Sequence, residues 1–499
     1  ADGFARASGR PGICAAQVVG AHNLAAGLRD AFLAHSPVIA FTGGRDPHTK
    51  FRKVYQEVDD VPAFETVTKM NATIDAVERI PDMLRQAFRV ATTGAPGPVH
   101  LQFAGNEGQI DAGEAEMEAY CEEQYTAVPP FRPSAPDADL RRALDLLAAA
   151  ERPVIVAGGG VRASGAGQVV LGLAEKLQIP VVTSLNGKDS IPGTHPLSVG
   201  VVGTYSRGSA NQVVLGADLV FFVGTETGGM TTHFWKVPPL GTRVIQLDIE
   251  PEALGRNYPP EVAINADART ALTRMLELAD AADHQGWVDS AAGHVRDWRL
   301  EYAPLLESDQ VPIRPERLCA ELTDLVPDDG IVVVDTGHAG MWMGGMYDLR
   351  APTQSYLRSA GHLGWAFPAS LGAKCAQPDR PVVCFTGDSG FWYHVAEIET
   401  AVRWGINSIT VVNNNHSGNQ SKRGFDRVYG GKQTEKALEM WVFTEVDFAA
   451  LAGQIGAVGI RVEKPSDLAP AFDQALSADR PVVIDVVTDI DALAPMAVE

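Results

Sequence analysis

The sequence predicts an α/β protein built as three doubly wound parallel-sheet domains, and three observations carry that reading. Short apolar runs such as Ile331-Val-Val-Val334 and Pro381-Val-Val-Cys-Phe-Thr386 read as strands buried on both faces. Between such runs lie stretches with apolar residues at helical spacing, for example Phe391, Val395, Ile398 and Val402. The alternation runs along the whole chain, broken by a proline-rich linker at residues 126–133 and an acidic helical segment at 286–309. Domains are therefore expected at residues 1–125, 134–285 and 310–488.

In the first of these, strands are expected at Gly12–Gln17, Pro37–Thr42 and Pro98–Phe103, and helices near Asn23–Ala34 and Ile80–Thr92. No strand and no initiator Met precede the helical pattern at Ala1-Asp-Gly-Phe-Ala-Arg6, so this domain reads as lacking its amino-terminal part. In the second, strands at Pro153–Ala157, Pro180–Ser184, Leu219–Gly224 and Arg243–Asp248 suggest a six-stranded Rossmann-like sheet. Gly158-Gly-Gly160 follows the first of these, without the spaced glycine fingerprint and acidic residue of a dinucleotide site. The third opens at Ile331 and closes with a strand at Pro481–Val486.

Composition narrows the partners. An apolar share of 45% over 499 residues suffices for several buried cores. Basic residues number 41 against 62 acidic ones, a formal charge of −21, which argues against nucleic acid or an anionic membrane surface. No apolar run reaches the roughly 18 residues of a bilayer-spanning helix. The five cysteines (Cys14, Cys121, Cys319, Cys375 and Cys384) are scattered and read as reduced thiols of a cytoplasmic protein.

The chemistry concentrates between Gly387 and Gln420. Asp388 and Asn415 both follow predicted strands, so both lie on the carboxyl rim of one parallel sheet, where ligands bind. A carboxylate, an amide oxygen and the nearby Ser417 carbonyl suit a small hard cation such as Mg2+, and Gly387, Ser389 and Gly390 leave room for a diphosphate on the same ion. Gly337, His338 and Ala339 follow another strand onto that rim. The segment from His416 to Phe425 reads as a polar loop, with Gly418 and Asn419 as cofactor-binding candidates and Asn419 and Gln420 as lid contacts. Lys422 and Arg423 there read either as attractors of an anionic substrate or as solvated charges.

Gly387-Asp-Ser followed by Asn414-Asn415 resembles the diphosphate and metal motif of thiamine diphosphate enzymes. Ala1-Asp-Gly-Phe-Ala-Arg-Ala-Ser-Gly9, Tyr55-Gln-Glu-Val-Asp59, Val67-Thr-Lys69 and Gly94-Ala-Pro-Gly-Pro-Val-His-Leu101 resemble the pyrimidine-binding domain of the acetolactate synthase-like family. The resemblance covers the chain in the order pyrimidine-binding, central and diphosphate-binding domain. It implies thiamine diphosphate and Mg2+ as cofactors, a small carbonyl substrate, and a homodimer or homotetramer with active sites between subunits. It also implies that His338 and its neighbours contact the diphosphate, that Gly361 belongs to a supporting segment, and that Leu363 wedges beneath the thiamine. Gln56 and Lys69 fall at substrate-side positions, with solvated loop residues as the alternative. His362 is placed to reach the aminopyrimidine edge, through its side chain or its backbone.

Departures from the family bear on function. Gln17-Val-Val-Gly-Ala-His22-Asn23 stands where acetolactate synthases carry a Gly-Pro-Gly-Ala-Thr-Asn turn; His22 reads as an acid, base or donor facing a partner's cofactor, or as a histidine satisfied by local backbone. The glutamate that activates the cofactor is expected several residues before Ala1. Gly224-Thr-Glu-Thr-Gly-Gly-Met replaces the stretch expected of an FAD binder, so FAD is possible but disfavoured. The leading expectation is decarboxylation and carboligation of a 2-oxo acid. The alternatives are hydrolysis of a cyclic 1,2-diketone, because Phe391-Trp-Tyr-His394-Val-Ala-Glu397 and the His22 loop resemble cyclohexane-1,2-dione hydrolase, and a catalytically silent cofactor-binding paralogue.

Overall fold

Every strand pairing among the described residues is parallel, and the strands fall into three sheets. The computed structural model describes residues 1–105, 115–118 and 120–495. They form two units: residues 1–131 with 359–362 and 375–377, and the remaining described residues.

In the first unit, β1 (Gly12–Ala16), β2 (Val38–Gly43), β3 (Met70–Ile74) and β4 (Val99–Phe103) form a four-stranded sheet in the order β1-β2-β4-β3. Three of these strands match the sequence reading, whereas β3 was not expected. Met70-Asn-Ala-Thr-Ile buries only Ile74 fully, so it shows no apolar run. The helices Ala21–Leu33 and Ile80–Thr92 cover the sheet through Ala25, Leu28, Ala87 and Ala91.

The second unit holds two six-stranded sheets. One contains β5 (Pro153–Ala157), β6 (Val181–Thr183), β7 (Ser198–Val201), β8 (Leu219–Val223), β9 (Arg243–Asp248) and β10 (Val262–Asn265), in the order β10-β9-β8-β5-β6-β7. The other contains β11 (Ile331–Val334), β12 (Ser355–Arg358), β13 (Val382–Gly387), β14 (Ile409–Asn414), β15 (Val458–Val462) and β16 (Val482–Val487), in the order β12-β11-β13-β14-β16-β15. β8 and β11 are buried along their whole length, as the apolar runs require of doubly covered strands. Each buried Val, Leu, Ile or Phe there contributes roughly 1.5–3 kcal/mol.

Strand order marks where a crevice forms. In the third sheet the chain runs from β11 outward to β12 and then returns to the other side at β13, so β11 and β13 flank a topological switch point. Register aligns Val334 with Phe385 and Gly387 with Asn413, which brings the segments after β11, β13 and β14 to one rim. The helix expected from Phe391 to Val402 is two helices, Asp388–His394 and Glu397–Trp404. Phe391, Ile398 and Ala401 still bury one face, so the spacing identified the buried side but not the break. The loop expected at 416–425 is helical from Gln420, within Gln420–Tyr429.

Among the described residues no helix is long and apolar enough to cross a membrane, and all five cysteines are free.

Candidate active site

The rim of the third sheet collects three buried oxygens. Asp388 is 3% exposed and accepts N–H bonds from Ser389 at 2.6 Å and Ser417 at 2.9 Å. Burial pushes its carboxyl up to about 7, against the pull of those backbone bonds. Asn415, also buried, accepts the Ser417 hydroxyl at 2.9 Å, and the Ser417 carbonyl lies 3.5 Å from the Ser389 hydroxyl. Residues 416–418 are pinned by Gly418 N–H on the Trp441 carbonyl and Phe443 N–H on the His416 carbonyl, each 2.7 Å. Two further asparagines precede Asn415, and one of them has a structural task. The Asn414 amide donates to Asp485 at 2.8 Å and to the Val446 carbonyl at 3.0 Å, tying β14 to β16.

The β11 side adds a second group. Gly337 has φ 69°, a left-handed conformation that favours glycine, and a Cβ there would stand 2.7 Å from Oε1 at the end of the flexible Gln420 side chain. It starts the helix His338–Gly345, whose first N–H groups have no intrahelical acceptor. Ala339 is buried on that first turn. His338 Nδ1 meets Asn419 Oδ1 at 2.5 Å. Asn419 Nδ2 donates to the Ile490 and Ala492 carbonyls, which fixes its oxygen toward the imidazole and so places the proton on Nδ1. Burial holds His338 near 4, leaving Nε2 a bare, buried acceptor with no partner. As a neutral ring His338 therefore accepts; to donate to a phosphate, as expected of it, it must take up a proton. Leu363 is 43% exposed, close to Gly337.

Sequence reasoning missed Asp335, the residue that holds this rim together. It accepts from Thr336 N–H at 2.8 Å, Gly364 N–H at 3.1 Å and the Thr386 hydroxyl at 3.0 Å, and a Cβ on Gly390 would lie 2.7 Å from its Oδ2. Burial raises its carboxyl to about 6. An acidic residue ending the run Ile331-Val-Val-Val was the available signal.

Lys422 pairs with Asp491 at 2.7 Å and Arg423 donates to the Ala494 carbonyl, so both cations have partners. A cleft of about 460 Å³ beside this helix is lined by Lys422, Asp426, Gln433 and Trp441 and does not include Asp388.

The remaining candidates lie in the first unit. His22 is 58% exposed, and its Nδ1 stands 2.9 Å from Oδ1 of the buried Asp60, whose other oxygen has no partner. The neighbour of His22 is thus a carboxylate rather than backbone, and Asp60 is a second residue the sequence reading did not single out. Gln56, at φ 59°, accepts from Gln17 at 2.8 Å. Lys69 donates to the Thr93 and Ala95 carbonyls, 2.7 Å each, holding a turn. The Asp30 carboxylate anchors the backbone around Gly361, accepting from Ala360 N–H at 2.8 Å and His362 N–H at 3.3 Å.

These oxygens fit the expected cation: the donors are all oxygen, and a buried carboxylate raised to about 7 is one that a divalent ion would stabilise. At the central sheet's switch point the picture differs. Gly160 N–H donates to the Gly224 carbonyl at 2.9 Å, and a Cβ on Gly158 would lie 2.1 Å from that carbonyl.

Comparison with known proteins agrees with this layout. Residues 1–63 match "Thiamine pyrophosphate enzyme, N-terminal TPP binding domain", 140–275 the central domain, and 335–486 the "C-terminal TPP binding domain". A probable acetolactate synthase large subunit of Methanocaldococcus jannaschii is 32% identical over 99% of this chain and 84% of its own length. Glyoxylate carboligase of Escherichia coli O157:H7 is 31% identical over 98% and 83%. The isozyme 3 acetolactate synthase large subunit of Escherichia coli K12 is 29% identical over 98% and 86%.

Proposed function

This chain belongs to the acetolactate synthase-like family of thiamine pyrophosphate enzymes, and we propose that it uses its cofactor with Mg2+ to decarboxylate a 2-oxo acid and join the remaining fragment to a second carbonyl. The observation that carries the reading is the buried oxygen set of Asp388, Asn415 and Ser417 at the ends of β13 and β14.

When bound, thiamine diphosphate supplies the carbon nucleophile and the electron sink. The chain's own residues hold and orient. Asp388 and the Asn415 and Ser417 oxygens hold Mg2+. The first N–H groups of the helix at His338 and Ala339, with Gly387, Ser389, Gly390 and Gly418, surround the diphosphate. Asn419 keeps the His338 proton on Nδ1, so Nε2 is the nitrogen that would take up a proton in order to donate to a phosphate. Gly361 and Leu363 support the thiamine, Leu363 offering exposed apolar surface. His22, Gln56, Lys69 and His362 are the substrate-side set. Within it His22 is the residue for proton transfer, while Lys69 acts through the turn it holds. Assembly as a homodimer or homotetramer in the cytoplasm belongs to the same reading. FAD is disfavoured in the same reading, because Gly224-Thr-Glu-Thr-Gly-Gly-Met replaces the stretch expected of an FAD binder and Gly160 N–H donates to the Gly224 carbonyl.

The test is to incubate the full-length protein with thiamine diphosphate, Mg2+ and pyruvate and follow carbon products by NMR. Acetolactate is the expected product. Untouched pyruvate in a sample that binds the cofactor would contradict the proposed donor.

A second reading, cleavage of a cyclic 1,2-diketone, is favoured by one observation: an exposed imidazole held by a buried carboxylate, at His22 and Asp60, suits activation of water. Turnover of such a diketone that falls about tenfold or more in Asp60→Asn would favour it.

A further inference from the structure

The helix His338–Gly345 presents its first turn to the proposed diphosphate and packs into the core through the buried Met341, Trp342 and Met343. It is eight residues long and carries Gly340, Gly344 and Gly345, each less favourable in a helix than alanine. The glycines allow another segment to lie on its backbone. A Cβ at Gly344 would stand 3.0 Å from the Tyr205 carbonyl, and one at Gly345 would stand 3.2 Å from the Ser206 carbonyl.

Apolar packing leaves its polar carboxyl end to be held separately, and two cations do so. Lys188 Nζ donates to the Gly344 carbonyl and Arg207 Nε to the Gly345 carbonyl, each at 2.9 Å, and both side chains are buried. Arg207 also pairs with Asp348 at 2.9 Å and lies over the Trp298 ring at 4.3 Å, while Arg299 takes the second Asp348 oxygen at 3.0 Å. Two cations thus cap the negative pole of a short helix.

We propose that Lys188 and Arg207 are positioning residues: they set the helix from its carboxyl end and thereby place Gly337, His338 and Ala339 against the cofactor's diphosphate. The inference rests on the cofactor reading above. An eight-residue helix is about 12 Å long and moves as one piece, so a displaced carboxyl end displaces the amino end. A buried cation is a costly way to fill space, and a methionine of similar length would pack there without losing hydration. Burial, reinforced by Arg207 and opposed by Asp348 and Cys319, pushes Lys188 down to about 7, and the Tyr356 ring lies 5.7 Å from its nitrogen. Below that pH the amine carries its charge to the Gly344 carbonyl.

The experiment compares wild type with Lys188→Met at pH 6.5 in Mg2+, titrating thiamine diphosphate by tryptophan fluorescence and recording the melting temperature without cofactor. The expected result is affinity about tenfold weaker with an unchanged or higher melting temperature. The gap between the two proteins should narrow above pH 8, where wild-type Lys188 is neutral as well. Equal affinity would overturn the proposal. So would a parallel fall in affinity and melting temperature, which would reduce Lys188 to packing, and so would a gap that widens with pH. A wild type that binds no cofactor would instead overturn the cofactor reading itself.

Discussion

The two six-stranded sheets share a layout, each with a switch point flanked by strands whose chain continues in opposite directions, and they use it differently. At β5 and β8 the crevice is closed by the chain's own backbone: Gly160 donates to Gly224, and Gly224 donates in turn to the Leu247 carbonyl at 2.8 Å. At β11 and β13 the backbone donors converge on carboxylates, those of Asp335 and Asp388, and the helix N–H groups after Gly337 have no intrahelical acceptor. Topology provides a place for a ligand twice. The two places differ in the polar atoms that line them: backbone carbonyls in one, buried carboxylates in the other.

Removing the carboxylate that organises the open crevice should have the largest effect on stability. Asp335→Ala leaves the Thr386 hydroxyl and the Gly364 N–H without their buried acceptor, a loss of about 2–4 kcal/mol in urea denaturation. A change within 0.5 kcal/mol would show that Asp335 is not the hub described.

The open crevice should also respond to acid. The His338 pKa is depressed in the folded protein, to about 4 from an ordinary 6.5, so the unfolded chain binds the proton first. The stability tied to the neutral ring is therefore complete above pH 6.5 and is lost as pH falls toward 4, by up to ~3 kcal/mol relative to His338→Gln. Cofactor binding should reverse the sign, with proton uptake visible in titration calorimetry across buffers of different ionisation enthalpy. Identical pH profiles for wild type and His338→Gln would remove His338 from the account.

At the closed crevice the effects should be smaller and confined to stability. Gly160→Ala places a Cβ 2.7 Å from Gly224 Cα and should cost about 1–3 kcal/mol while leaving cofactor affinity unchanged. Weakened cofactor binding in a protein of normal stability would show that the two crevices are coupled rather than contrasted.

The open crevice was readable in the sequence because its parts are local. Asp388 and Asn415 each follow directly on an apolar strand run, and neighbouring parallel strands align their ends. Gly337 was readable for the same reason, whereas the bond between Asn419 and His338 was not. Asp335, Asp60 and Lys188 were not assigned, because what each does depends on partners remote in the chain: Asp335 on Gly364 and Thr386, Asp60 on His22, Lys188 on Gly344. The strands β3, β7, β10, β12 and β15 escaped for a physical reason too: none is a continuous buried apolar run. Ser198-Val-Gly-Val and Val262-Ala-Ile-Asn are four-residue strands with alternating burial, too short to stand out as apolar runs.

The most direct test of the central claim is calorimetric titration of thiamine diphosphate with Mg2+ into wild type and Asp388→Ala. If the buried oxygens at the ends of β13 and β14 hold the ion that carries the diphosphate, wild type binds and the variant binds at least ~100-fold more weakly, with its remaining affinity insensitive to Mg2+. Wild-type affinity and Mg2+ dependence in Asp388→Ala would contradict the account.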